Sequence, residues 1–115
     1  MKIDVIIPVY NSEKTIVKAI NSILSQSIDV EKIIVVDDCS IDNTKTIINR
    51  MQKDYSTILY KKNTLNLGAG NSRNIGLTLS KSRYVAFLDS DDYWNENHLM
   101  ELSKSLEENK WAIFA

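Results

Sequence analysis

The chain has 115 residues, a length suited to one domain with a modest core. It is 43% hydrophobic and 25% charged, as in an ordinary soluble globular protein, and its net charge of −1 offers no basic field for nucleic acid and no polybasic patch for a membrane. Cys39 is the only cysteine, which excludes an intrachain disulfide and fits a reducing compartment.

Met1 leads at once into an apolar strand pattern without the form of a signal peptide. No apolar run approaches the roughly 20 residues of a transmembrane helix. Ile3-Asp4-Val5-Ile6-Ile7 is rich in β-branched residues and is expected to end at Pro8, which cannot donate to a central ladder. Ile16, Ala19, Ile20, Ile23 and Leu24 recur at helical spacing, with Ser12 as N-cap. Ile33-Ile34-Val35-Val36 is a second continuous apolar run, closed by Asp37-Asp38. Ile47, Ile48 and Met51 mark a short helix, for which Asp42 is the best cap. Thr57-Ile58-Leu59-Tyr60 is a third, weaker strand, and Ile75 with Leu79 predicts a helix over about 70–80. A strand at 84–88 follows, then a helix over roughly 95–108 with Leu99, Leu102 and Leu106 on one face. Trp111-Ala112-Ile113-Phe114-Ala115 reads as a fifth strand at which the chain stops, the pattern expected of a truncated sheet.

Strands alternating with helices predict an α/β fold of βαβ units, with a mostly parallel sheet flanked by helices. Continuous rather than alternating apolar runs fit strands covered on both faces. In such sheets ligands bind beyond the carboxyl ends of the strands.

Polar residues gather at those ends. Phe87-Leu88-Asp89-Ser90-Asp91-Asp92-Tyr93-Trp94 places three carboxylates within four residues. Carboxylates crowded so closely repel unless a cation joins them, and their hard oxygens suit Mg²⁺ or Mn²⁺. Asp91, Asp92 or Asn95 could instead cap the last helix, but one cap does not need all three acids. Pro8-Val9-Tyr10-Asn11-Ser12 taken alone is an ordinary strand-to-helix loop, or a turn that sets an aromatic ring beside a flat base. Asp37 and Asp38 stand at the mouth of the sheet, where an Asp could accept a hydrogen bond from a nucleobase N–H. Cys39 reads as a passive small residue, and the lone His98 has no partner for catalysis nearby.

The glycines of Asn66-Leu67-Gly68-Ala69-Gly70-Asn71-Ser72-Arg73-Asn74-Ile75-Gly76 do not make a dinucleotide fingerprint. Arg73 stands where the third glycine would be, and the segment follows the third strand rather than the first. A loop entering a helix, with Arg73 either facing an anion or simply on the surface, fits better. A phosphoacceptor signalling domain shares the length and the doubly wound form. It needs acids after strand one and an Asp after strand three, where this chain has Pro8 and Lys61-Lys62.

Together, Val5-Ile6-Ile7-Pro8-Val9-Tyr10-Asn11, Val36-Asp37-Asp38-Cys39-Ser40-Ile41-Asp42-Asn43-Thr44, Asn66-Leu67-Gly68 with Ser72-Arg73-Asn74-Ile75-Gly76, and Phe87-Leu88-Asp89-Ser90-Asp91-Asp92 closely resemble the N-terminal, nucleotide-sugar-binding half of family 2 glycosyltransferases of the Rossmann-like GT-A fold. The resemblance spans Lys2 to about Leu106. It implies a donor site for a nucleotide-diphosphate-sugar, a UDP-sugar above all, and transfer to a glycan or lipid-linked acceptor in cell-envelope polysaccharide assembly. Pro8, Val9 and Tyr10 would line the base pocket, Asp38 would contact the base, and Asn11, Arg73 and Ser90 would lie near the nucleotide. Asp89-Ser90-Asp91 would be the DxD motif, with Asp89 at the ribose or metal and Asp91 on Mn²⁺ or Mg²⁺. The family is generally inverting, with a carboxylate base well downstream, so no catalytic base is nominated. Asp92, Glu96 and Glu101 fall too early for that role.

Cys39 stands where the family commonly has Gly, a disfavoured choice if the backbone there is left-handed. The resemblance also implies a cytoplasmic site of action, peripheral at the inner membrane face, and the open sheet edge predicts self-association into a homo-oligomer. The alternative is a non-catalytic fragment or subunit that only binds the nucleotide-sugar.

Overall fold

The computed structural model describes residues 2–109. Its element order is β1 (Ile3–Val9), α1 (Ile16–Leu24), β2 (Lys32–Asp37), α2 (Thr44–Asp54), β3 (Ile58–Lys62), α3 (Ala69–Leu79), β4 (Tyr84–Phe87) and α4 (His98–Asn109). The expected fifth strand at 111–115 lies outside the described residues. All the described strand pairings are parallel, and the sheet runs in the order β3-β2-β1-β4. The α/β architecture read from the sequence is the one observed.

The continuous apolar runs are explained by cover on both faces. Val5, Ile7, Ile33 and Val35 pack on one side against Ile16, Ala19, Ile20 and Ile23 of α1, Ile48 of α2 and Leu99 of α4. Ile6, Ile34 and Val36 face the other side, with Ile75 and Leu79 of α3 against them. Every residue of β1 is buried, so its outward and inward positions are equally apolar. Burial of side chains of this size contributes about 1.5–3 kcal/mol each, which makes this double-faced core the main stabilising feature. Asp4 is the exception at 1% exposure, and its carboxylate accepts from the Ser80 and Ser82 hydroxyls at 2.6 and 2.9 Å, clamping the α3–β4 turn.

Pro8 does not end β1, as its missing donor suggested; the strand continues to Val9. The reason is directional. Ile6 O accepts from Leu88 N–H on the β4 side, whereas Val9 O accepts from Asp38 N–H on the β2 side. Pro8 shares the parity of Ile6, so its absent N–H faces β4, whose pairing with β1 has stopped at Ile6. The missing donor thus coincides with the end of the β1–β4 ladder, while the β1–β2 ladder runs on to Val9.

Two helix starts also differ from expectation. Thr15, not Ser12, precedes α1, and the Ser12 carbonyl rather than its hydroxyl takes the N–H groups of Thr15 and Ile16. Asn43 flanks α2, while Asp42 accepts the Thr44 N–H at 3.0 Å from one position earlier. Among the described residues no helix is long and apolar enough to cross a membrane.

Candidate functional site

The chain runs β1 to β2 to β3 toward one edge and then returns to place β4 on the other side of β1. Loops leaving β1, β2 and β4 lead into helices on one face, whereas the loop leaving β3 leads into α3 on the other, and a crevice lies between them at the carboxyl ends of the strands. A cleft of about 1050 Å³ lies there. Pro8, Val9, Tyr10, Asn11, Asp38, Arg73, Asp89, Ser90 and Asp91 all line it. Every residue nominated from the sequence thus meets in one place, although four separate segments carry them.

Loops after β1 and β2 are cross-braced. Asn11 sits at φ 47°, a left-handed conformation that Asn tolerates better than most residues. Its N–H donates to Ser40 Oγ at 2.8 Å, and its Oδ1 accepts the Ile41 N–H at 2.9 Å. Ser12 N–H donates to Thr44 Oγ1 at 2.8 Å, and Thr44 Oγ1 donates to Asp42 Oδ1 at 2.5 Å. Burial alone would raise the Asp42 carboxyl, but the Thr44 hydroxyl and the Thr44 and Glu13 N–H groups hold it below its ordinary value. Ser12 Oγ lies 2.8 Å from Ser90 Oγ, which joins the first loop to the acidic loop after β4.

Asp38 is 5% exposed and organises the opposite wall. Its Oδ1 accepts Asn63 Nδ2 at 3.0 Å and Leu67 N–H at 2.7 Å, and its Oδ2 accepts Gly68 N–H at 2.8 Å. Burial pushes this carboxyl up, but those three donors outweigh it and hold the group below its ordinary range. Among the described residues, only the Gly68 N–H is bonded to Oδ2, which leaves it a second acceptor position. Gly68 takes φ 90°, so the loop that Asp38 grips enters α3 through a backbone that favours glycine.

Neighbouring Asp37 is fully buried, accepting Ser40 N–H at 2.9 Å and the Tyr60 hydroxyl at 2.5 Å. Burial first, and then the Asp37 carboxylate, push the Tyr60 hydroxyl well above the usual phenol value. Asp37 is thereby spent on structure.

Arg73 reaches Asp89 at 2.8 Å across the α3 side of the cleft. Both side chains are substantially exposed, at 36% and 61%, so the pair contributes little stability and exchanges readily for a ligand. Asp91 is exposed, and among the described residues its carboxylate has no protein partner. Among those residues no group of three or more His, Cys, Asp or Glu side chains is placed to hold a metal ion. Two hard carboxylates at the rim of a cleft still suit a small cation that takes its remaining ligands from water and phosphate.

The family description "Glycosyl transferase family 2" matches residues 4–115. The chain belongs to glycosyl transferase family 2. It is 44% identical over 108 residues to the UDP-Glc:alpha-D-GlcNAc-diphosphoundecaprenol beta-1,3-glucosyltransferase WfaP of Escherichia coli, an alignment covering 89% of this chain and 42% of WfaP. It is 37% identical over 116 residues to the poly(ribitol-phosphate) beta-glucosyltransferase of Bacillus spizizenii, covering 98% of this chain and 18% of that enzyme. The crystal structure of Staphylococcus aureus TarS 1–349 in complex with UDP-GlcNAc superposes with a TM-score of 0.86 at 34% identity, over 96% of this chain and 32% of that one. The chain therefore spans less than half the length of these relatives.

Some features of this family 2 site escaped sequence reasoning. Asn63 and Ser72 are buried beside Asp38 and bonded to each other at 3.1 Å. Asn63 lies outside the sequence motifs and Ser72 is one polar letter within the Ser72–Gly76 block, so only the three-dimensional contact identifies their part. Ser12 carried a helix-cap signature that the structure uses to tie two loops together. Asp92, Glu96 and Glu101 do not line the cleft, and His98 stacks on Trp94 with ring centroids 4.6 Å apart.

Cys39 occupies φ 71°, so the left-handed site suspected from its departure from Gly is real. Its Sγ donates to the Asn63 carbonyl at 3.0 Å, a contact that partly offsets the backbone strain. Replacing Cys39 with Val puts a β-branched residue in that conformation. We expect a loss of about 1–3 kcal/mol, read as a lower urea midpoint with an unchanged m-value.

Proposed function

We propose that this chain forms the donor-binding part of a glycosyltransferase that takes a sugar from a nucleotide diphosphate, a UDP-sugar, and passes it with inversion to a glycan or lipid-linked acceptor of the cell envelope. The observation that carries this is the convergence of Pro8–Asn11, Asp38, Arg73 and Asp89–Asp91 on one cleft at the switch point of the sheet. The similarity to TarS crystallised with UDP-GlcNAc supports the choice of donor.

The roles follow from the chemistry of each group. Tyr10 is 51% exposed on the cleft and offers a ring face to a base. The open acceptor position on Asp38 Oδ2 suits a nucleobase N–H, and a carboxyl held below its ordinary range stays an ionised acceptor at neutral pH. Arg73 and the first turn of α3 present donors and positive potential to a diphosphate, and a phosphate there would replace or share the exposed Asp89. Asp91, with Asp89, would hold Mn²⁺ or Mg²⁺. When bound, such an ion stabilises negative charge on a departing diphosphate. The carboxylate base for the acceptor hydroxyl belongs to the part of such enzymes beyond this donor site.

Calorimetric titration of UDP, with and without Mn²⁺, tests this on the wild type and on Asp91→Asn. The expected result is Mn²⁺-dependent binding that weakens about tenfold or more in the variant. A folded wild-type chain that binds no UDP in either condition would sink the proposal.

A further inference from the structure

Ile41 is 89% exposed, more than any other large hydrophobic residue among those described. Single aliphatic side chains on a surface are ordinary and need no explanation. The setting of Ile41 is not ordinary. It lines the same cleft as Pro8, Tyr10 and Asp38. Its backbone is fixed, because its N–H donates to Asn11 Oδ1 while the Asn11 N–H donates to Ser40 Oγ. On its other side Asp42 is held by Thr44 and by the Glu13 N–H. An apolar side chain is thus presented to solvent on a braced loop. The loop carrying Tyr10 is its direct neighbour, since β1 and β2 pair through Val9 and Asp37.

We infer that Ile41 forms an apolar wall of the nucleobase pocket and contributes to selection of a nucleoside diphosphate over a bare diphosphate. This rests on the donor-site proposal above. Apolar surface that is wet in the free protein and covered in the complex contributes binding free energy in proportion to its area. An aliphatic side chain has no donor to offer a phosphate, so its contribution falls on the base and ribose alone. Braced loops add to this, because little ordering is left to oppose binding.

The test compares wild type, Ile41→Ala and Ile41→Leu by calorimetry with UDP and with inorganic pyrophosphate, both in Mn²⁺. Because the side chain is exposed, none of these changes should move the urea midpoint. UDP affinity is expected to fall about tenfold in Ile41→Ala and to stay within about twofold in Ile41→Leu, while pyrophosphate affinity is the same in all three. Unchanged UDP affinity in Ile41→Ala overturns the inference, as does an equal loss for pyrophosphate. Absence of UDP binding by the wild type overturns the donor-site proposal and this inference with it.

Discussion

Replacing Asp38 with Ala is expected to lower the stability of this domain by about 3–4 kcal/mol and to abolish measurable UDP binding. The carboxylate accepts from Asn63, Leu67 and Gly68 in a nearly solvent-free position. Its removal breaks three hydrogen bonds to a charged acceptor, leaving buried Asn63 with Ser72 Oγ alone and the exposed Leu67 and Gly68 N–H groups to water; each such bond is worth about 1.5–3 kcal/mol, part of which relaxation and hydration recover. Against a total of about 5–15 kcal/mol for a typical domain, that is a severe loss. The loop at Leu67–Gly68 leads directly into α3, so Arg73 would lose its placement as well. Asp38→Asn separates the two effects. It keeps one acceptor oxygen but sets an NH₂ against an N–H donor, so stability drops less while the charge-assisted contact to a base disappears.

The same group predicts an acid dependence. Its folded-state value lies below the ordinary 3.8, so the stability it contributes is present above about pH 3.8 and disappears as pH falls through the folded-state value. Urea midpoints of the wild type and Asp38→Ala should therefore differ most near neutrality and converge in strong acid. A gap between them that stays constant from pH 7 down to pH 2 would contradict the assignment.

Substitutions at Gly76 are expected to be nearly as damaging, for a steric reason. A Cβ at this position would lie 2.5 Å from Ile6 Cγ2 and 3.1 Å from Ile6 Cδ1. Cγ2 is attached directly to the Cβ of a β-branched residue in a fully buried strand, so it has no rotamer through which to escape. Helix α3 must move away from β1, opening the contact between Ile75, Leu79 and the sheet. Overpacking of this kind costs about 1–3 kcal/mol. Gly76→Ala also gains about 1 kcal/mol of helix propensity, so its net loss should be about 0–2 kcal/mol. Gly76→Leu lacks room for the whole side chain and should cost about 3 kcal/mol or more. Ile6→Ala removes Cγ2, so the double variant Ile6→Ala with Gly76→Ala should be more stable than the sum of the single losses predicts, by about 1 kcal/mol. Strict additivity in urea denaturation would rule out the clash as the cause.

Residue patterns alone determined the αβ alternation, the parallel sheet buried on both faces, and the clustering of polar residues at strand ends. Each is a local property: β-branched runs fix strands, three- and four-residue apolar spacing fixes helices, and the crossover rule fixes the direction of the strands. The candidate site was legible for the same reason, since strand ends in such a sheet share one edge and each end carried its own polar motif. The fate of individual side chains was not legible. Pro8 looked like a strand terminus, yet the pairing of its neighbours turns its missing donor toward β4 and leaves the β2 pairing intact to Val9. Ser12 looked like a helix cap and instead reaches Ser90, 78 positions away in sequence. Asp37 and Asp38 looked alike in the chain, but strand alternation sends one to Tyr60 and Ser40 and the other to Asn63 and the Leu67–Gly68 loop. Cys39 carried only a suspicion of a left-handed backbone, which the fold made a fact. Ile41 was one apolar letter in a polar loop until its neighbours showed it braced at the mouth of the cleft. Short-range periodicity decides which elements form, whereas the direction of these polar and apolar groups depends on contacts with segments 23 or more residues distant, and those exist only once the sheet is assembled.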